Sequence, residues 1–311
     1  MNKRPHYLVI VPPSLQRTPA LFRAMALAKQ SGAELELALF DFDAGLNKAR
    51  NRGFDLKAYL EGRRRELEEF ASHPRREGFS VKAGVHWGSP MTRQILAQVL
   101  ALKPDLVIKD VQVEPALKRV LLTGRDYELL RLCPAPLMLV KSGDHNLPKH
   151  LLAAVDPLDE NNRPHELNKR ILDAAEKYGM TCGAEVEVVH AVQPVPVMAS
   201  AAAFGGTVPD NMLMAELRKL HEQALRDLGK EFGVEERHLH MLDGYPPEAI
   251  ATFAATYRVD LLVVGTVYRG GFERFMLGSV AEQLFERINC DVLALKPAGF
   301  ADALARQFDI T

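Results

Sequence analysis

The chain writes one unit twice, and this constrains its fold more than any other feature. His6-Tyr-Leu-Val-Ile-Val-Pro-Pro13 is matched by His150-Leu-Leu-Ala-Ala-Val-Asp-Pro157, and Gly32-Ala-Glu-Leu-Glu-Leu37 by Gly183-Ala-Glu-Val-Glu-Val188. Pro104-Asp-Leu-Val-Ile108 returns as Val259-Asp-Leu-Leu-Val263, and Lys141 and Lys296 close the two copies. The offset grows from 144 (150 − 6) through 151 (183 − 32) to 155 (296 − 141), so the second copy carries small insertions. Chance similarity does not keep its order along a whole chain. This is an internal duplication.

Within each copy, short apolar runs alternate with stretches of helical spacing. The first copy predicts strands near 7–11, 34–40, 81–86, 105–109 and 137–140, with helices near 18–30, 56–77, 91–102 and 125–132. The second predicts strands near 151–155, 185–191, 237–242, 260–264 and 292–295, with helices near 163–178, 210–232, 247–257 and 279–288. Strands alternating with helices argue for a parallel sheet covered on both faces. Right-handed crossovers then make each copy a doubly wound, Rossmann-like α/β unit with a crevice at the carboxyl ends of its central strands. The polar segment Ser142 to Lys149 is the expected boundary, giving domains 1–145 and 146–311. At 311 residues the chain is long enough for each to bury its own core.

The chemistry concentrates between Asp260 and Lys296. Leu261 to Val264 reads as a buried strand, Gly265 ends it, and polar or glycine residues follow through Gly271. Gly278 and Ser279 then precede Val280, Leu284 and Ile288, whose four-residue spacing marks one helix face. Ser279 suits an N-cap. A helix start fed by a glycine loop at the end of a parallel strand gathers unpaired N–H groups and a positive dipole, which suits a phosphate.

Gly265 and Gly278 are thirteen apart (278 − 265), with a hydroxyl residue after the second. This resembles the nucleotide loop of the universal stress protein family: glycine, two residues, glycine, nine residues, glycine, then serine or threonine. Tyr268 stands where that pattern has its second glycine, and Arg269, Gly270 and Gly271 follow at once. Two such units resemble the tandem class of that family, whose fold is akin to the adenine nucleotide alpha hydrolases. The resemblance implies a cytoplasmic stress-response protein binding ATP or another adenine nucleotide without evident catalysis. The implied contacts are Asp156, Gly265, Thr266, Tyr268, Arg269, Gly278, Ser279 and Val280. It also implies that Leu137 to Val140 and Val292 to Leu295 pair within the chain as a pseudo-dimer, with a homodimer as a further assembly. The alternative is a module of this family that binds an apolar ligand, in the N-terminal half, or a protein partner.

The copies are not equivalent. Aligned backwards from Lys141 and Lys296, Asp110 takes the place of Gly265, Val113 that of Tyr268 and Thr123 that of Gly278, while Gly124 lies opposite Ser279. Asp156, at the adenine-side position, faces Pro12 in the first copy. A carboxylate at Asp110 would repel phosphate, so one nucleotide site is expected, in the second half.

Other residues divide between roles. Asp156 suits a turn before Pro157 as well as a ligand contact, and Ser279 a plain helix cap as well as a phosphate. Arg269 and Arg274 would neutralise phosphate or face solvent. His86 and Trp87 would pack or line an apolar pocket, Met198 to Gly206 would be a loop or a cover, and the run Arg63 to Arg65 would lie on the solvated face of a helix. His221, His238 and His240 form no HExxH-like ligand set, so no metal is expected. Neither a GxSxG elbow, a GxxxxGK[ST] loop, nor an SGGxDS-like loop after either first strand is present, and no enzyme activity is expected. With 39 Lys plus Arg against 40 Asp plus Glu, the composition argues against nucleic acid as a partner. Met1 to His6 leads into no apolar signal core and no run approaches the ~18 apolar residues of a membrane span, so the expected location is the cytoplasm. Cys133, Cys182 and Cys290, far apart, read as buried free thiols.

Overall fold

The computed structural model describes residues 4–50, 54–111, 113–114, 119–120, 122–141, 147–158, 166–193, 211–266 and 279–308. The first copy runs β1 (His6–Val11), α1 (Pro19–Ser31), β2 (Glu34–Asp41), α2 (Ala44–Arg50), α3 (Leu56–Arg76), β3 (Val81–Trp87), α4 (Met91–Leu102), β4 (Leu106–Asp110), the short strands β5 (Val113–Glu114) and β6 (Arg119–Val120), α5 (Gly124–Leu132) and β7 (Leu137–Val140). The second runs β8 (His150–Ala154), α6 (Glu166–Cys182), β9 (Glu185–Val192), α7 (Asn211–Glu231), a single 3-10 turn (Glu236–His238), β10 (Leu239–Asp243), α8 (Pro246–Thr256), β11 (Leu261–Gly265), α9 (Ser279–Arg287), β12 (Asp291–Leu295) and α10 (Phe300–Phe308).

The expected α/β alternation is present, and most element ends agree closely with the sequence reading. The helix predicted to stop near 178 continues to Cys182. Its end is set by Gly183 (φ 59°), the counterpart of Gly32 (φ 69°), which closes α1 by bonding its N–H to Ala28 O. Glycine adopts this left-handed conformation without the Cβ penalty other residues incur. Helices α2 and α10 and the β5–β6 hairpin had no prediction. The hairpin strands are two residues each, too short for a period to register. For α10 a signal existed: Phe300 and Leu304, one turn apart, are both buried.

By contacts the chain divides into Met1–Leu147 with Asp291–Thr311, and Pro148–Cys290. In the first unit the strand order is β12-β7-β4-β1-β2-β3. All its neighbours are parallel except β12 and β7, which are antiparallel with Val292 opposite Leu139 and Ala294 opposite Leu137. The intrachain pairing of the two closing strands is therefore present, and it groups the chain's last strand with its first copy. Leu137, Met138, Leu139 and Val140 are all buried, as are Val292 to Leu295, and burying each of these side chains apart from Ala294 stabilises the fold by about 1.5–3 kcal/mol. Arg23 of α1 adds an ion pair to Asp291 at 3.1 Å, both buried, and Asp291 Oδ1 accepts the Lys141 N–H at 2.9 Å. In the second unit the order is β10-β9-β8-β11, all parallel. Continuous apolar runs in β8 and β11 fit strands covered on both faces.

Candidate functional site

In the second unit β8 and β11 lie side by side, with Leu261 opposite Leu151 and Val264 opposite Ala154. The chain leaves β8 for β9 on one side and returns as β11 on the other, so the winding reverses between them. Ligands of open α/β sheets sit outside the carboxyl ends of strands at such a reversal. Those ends deliver Val155 and Asp156 from β8, and Gly265 and Thr266 from β11.

Asp156 is fixed through its backbone. The Asn168 side chain of α6, 1% exposed, accepts the Asp156 N–H at 3.1 Å and donates to Asp156 O at 2.8 Å. The Asp156 carboxylate remains half exposed, its Oδ1 3.9 Å from Nδ1 of the buried His190 of β9. His190 Nδ1 lies 3.2 Å from Val155 O, and its Nε2 lies 2.8 Å from His221 Nδ1 on α7. Burial pushes the His190 pKa below the ordinary histidine value; Asp156 and the Val155 carbonyl oppose that shift, and His221 adds to it.

Gly265 has a packing reason for being glycine. A Cβ there would lie 2.6 Å from Leu167 Cδ2, and the backbone is not left-handed. Thr266 is buried. The described part of helix α9 runs from Ser279, and Val280 is half-buried. Tyr268, Arg269, Arg274, Gly278 and the segment Met198 to Gly206 lie outside the described residues.

The equivalent place in the first unit is occupied by the protein's own charges. Asp110, matching Gly265, accepts the Ala20 N–H at 2.8 Å on Oδ1 near the start of α1, while its Oδ2 is buried with no hydrogen-bond partner among the described residues; burial raises its pKa. Thr123 caps α5 in a reciprocal box: its Oγ1 accepts from Asp126 N at 3.3 Å and Asp126 Oδ2 accepts from Thr123 N at 2.7 Å. Lys109 Nζ closes the group on Asp126 Oδ1 at 2.6 Å.

Elsewhere in that unit, His86 stacks on Phe40 at 4.8 Å, and Trp87 meets Phe42 at 5.4 Å and Tyr59 at 5.8 Å. Tyr59 donates to Asp41 at 2.8 Å. Arg63 corrects one expectation: it is half-buried and pairs with Asp41 at 3.2 Å, while Arg64 and Arg65 face solvent. The face of α3 bearing Arg63 packs over the ends of β2 and β3. His238 and His240 both bond Glu187, at 3.1 and 2.6 Å. Among the described residues no group of three or more His, Cys, Asp or Glu side chains is arranged to hold a metal ion, and no helix is long and apolar enough to cross a membrane. The three cysteines are buried and form no disulfide.

Sequence reasoning missed Asn168 and His190. Each is a lone polar residue on a buried face, Asn168 among the apolar positions of α6 and His190 at the end of an apolar strand run. An unexplained polar side chain in such a place was the signal available.

Comparison with known proteins gives a consistent answer. Residues 148–296 match the universal stress protein family. Universal stress protein E of Escherichia coli K12 is 28% identical over 301 residues, covering 93% of each chain. A universal stress protein of Methanocaldococcus jannaschii is 30% identical over 158 residues, 51% of this chain and 87% of that one. Among solved structures, a universal stress protein from Archaeoglobus fulgidus DSM 4304 aligns over 95% of this chain and 99% of its own with a TM-score of 0.65 at 17% identity, a likeness of fold.

Proposed function

The chain belongs to the universal stress protein family, with two copies of the domain in tandem, and from that premise we infer a cytoplasmic stress-response protein that binds one adenine nucleotide in its second half without turning it over. The observation carrying this reading is the strand reversal between β8 and β11. It puts a clamped, half-exposed Asp156 beside the Gly265-Thr266 exit, from which the chain leads to Gly278 and the start of α9. Asp156 would accept from the adenine amino group or a ribose hydroxyl. Thr266, Arg269, Gly278 and Ser279 would hold phosphate, with Tyr268 and Val280 along the same wall. In the first half Thr123, Asp126 and Lys109 already satisfy one another at the start of α5, which supports a single site per chain.

Calorimetric titration of the full chain with ATP tests this. One nucleotide bound per chain is expected, abolished by Gly278→Val through bulk at the phosphate. Absence of binding, or two equal sites, would overturn the reading. A second reading, an apolar ligand in the first half, is favoured by the aromatic group of Phe42, Tyr59 and Trp87 at the ends of β2 and β3. Trp87 is the chain's one tryptophan, so a bound apolar probe would change its emission directly. Unchanged emission at saturating probe would remove this alternative.

A further inference from the structure

Asp156 is held from two sides by side chains that the first copy does not possess. The positions of Asp156, His190 and His221 correspond to Pro12 (156 − 144), Leu39 (190 − 151) and Glu66 (221 − 155). The group is therefore no general requirement of the fold; it accompanies the half with the glycine loop.

The geometry fixes the protons. A carbonyl only accepts, so His190 Nδ1, facing Val155 O, carries a hydrogen. Neutral His190 then presents an acceptor at Nε2, and His221 Nδ1 donates to it across 2.8 Å. A second proton on His190 would put two N–H groups face to face unless His221 moved its own proton to Nε2. It would also place a cation 3.9 Å from Asp156 Oδ1. Among the described residues no other charge acts on His190. Its side chain shares a sheet face with Met241, its cross-strand partner on β10, and α6 brings the neutral Asn168 to Asp156. The ionisable groups acting on it are Asp156 from the end of β8 and His221 from α7. Glu187 and His240 point to the opposite face, because His240 pairs with Val189, one residue out of phase. Arg218, also on α7, is engaged by Glu222 and Asp243.

We propose that Asn168 and the His190–His221 pair are the positioning residues of Asp156, holding its carboxylate outward as acceptor for a nucleoside N–H or O–H donor only while His190 is neutral. This rests on the nucleotide reading above. Asn168 fixes the main chain, and His190 decides whether the carboxylate faces the ligand or an internal cation. Nucleotide and the second proton on His190 therefore compete. The lowered His190 pKa puts the competition below the ordinary histidine value of about 6.5, so binding is strong at neutral pH and is lost as pH falls.

The test uses the full chain and two readouts. In ATP titrations from about pH 8 to about pH 5.5, wild-type affinity is expected to fall about two- to fivefold, bounded by the effect of one charge at ~4 Å in a well-solvated site. His190→Gln, which still donates to Val155 O and accepts from His221, should flatten that profile. His221→Phe, which removes a neighbour that depresses His190, should move the midpoint to higher pH. Asn168→Ala should weaken binding at every pH and leave the slope in place. The second readout is the carboxyl carbon resonance of Asp156, assigned with Asp156→Asn. It should show an inflection where His190 titrates, absent in His190→Gln. An unchanged pH slope in His190→Gln, or an Asp156 resonance blind to His190, overturns the proposal. If Asp156 follows His190 yet no variant binds ATP, the positioning group stands and the nucleotide reading fails.

Discussion

Asp110 and Gly265 stand at the same place in two copies of one unit, 155 residues apart (265 − 110), and they serve different neighbours. Asp110 gives one carboxylate oxygen to Ala20 N and keeps the other buried, and next to it Lys109, Thr123 and Asp126 form a closed group at the start of α5. Gly265 gives up its side chain to make room for Leu167. A helix start satisfied by its own protein has no need of an external anion, whereas one led in by glycines leaves that role to a ligand. Duplication supplied two crevices. In one of them internal capping occupies the helix start, and the other carries Asp156, Asn168, His190 and His221.

Three sets of substitutions test this contrast. The largest effect is expected from Asp126→Ala. It strips the Thr123 cap and leaves Lys109, 13% exposed, without its carboxylate, costing about 3–5 kcal/mol in denaturant unfolding. A loss below 1 kcal/mol would mean that the closed group does not stabilise the first half. Next comes Gly265→Asp, which copies Asp110 into the second half. The new Cβ meets Leu167, so about 1–3 kcal/mol of stability and the nucleotide affinity should fall together. Gly265→Ala should lose the same stability with no charge added, and Leu167→Ala should relieve both variants. If Gly265→Ala is harmless while Gly265→Asp is not, charge rather than space decides this position.

The effect that is smallest at neutral pH concerns the lysine that closes the second copy. Burial lowers the Lys296 pKa from 10.5 to about 7, and its ammonium lies over the Phe300 ring at 5.1 Å and bonds Leu130 O. Between those two pH values the unfolded chain holds a proton that the folded one has shed. Stability from this group therefore rises with pH across that window, by up to about 1.4 kcal/mol per pH unit, and is lost as pH falls toward 7. Lys296→Met should remove this slope and stabilise the protein near neutrality. Melting temperatures of wild type and variant at several pH values between those limits decide it. A slope that survives in Lys296→Met would assign it to another group.

Much of this was legible in the residues because the signals are local. Repeated segments, apolar runs of strand length and four-residue spacing fixed the duplication, the α/β alternation and most element ends. The replacement of Gly265 by Asp110 in a matched register was enough to predict unequal halves. Local signals failed where elements are very short, as at β5 and β6, and where one polar residue sits in an apolar pattern, as at Asn168. Arg63 shows the converse, since a run of three arginines reads as a solvated face until packing turns one of them inward.

By itself, then, the sequence determined that one unit occurs twice, that each alternates strand with helix, and that only the second keeps the glycines of an anion loop. These properties follow from periodicity and from order along the chain, which residues carry without reference to distant neighbours. Tertiary structure alone decided why Gly265 must be glycine, because Leu167 reaches it from almost a hundred residues away. It also grouped β12 with the first copy, because that strand pairs with β7 far from it in the chain. Finally, it brought Asp156, Asn168, His190 and His221 together from four separate elements. A side chain's partners depend on strand register and helix crossover, and neither is written in any short stretch of sequence.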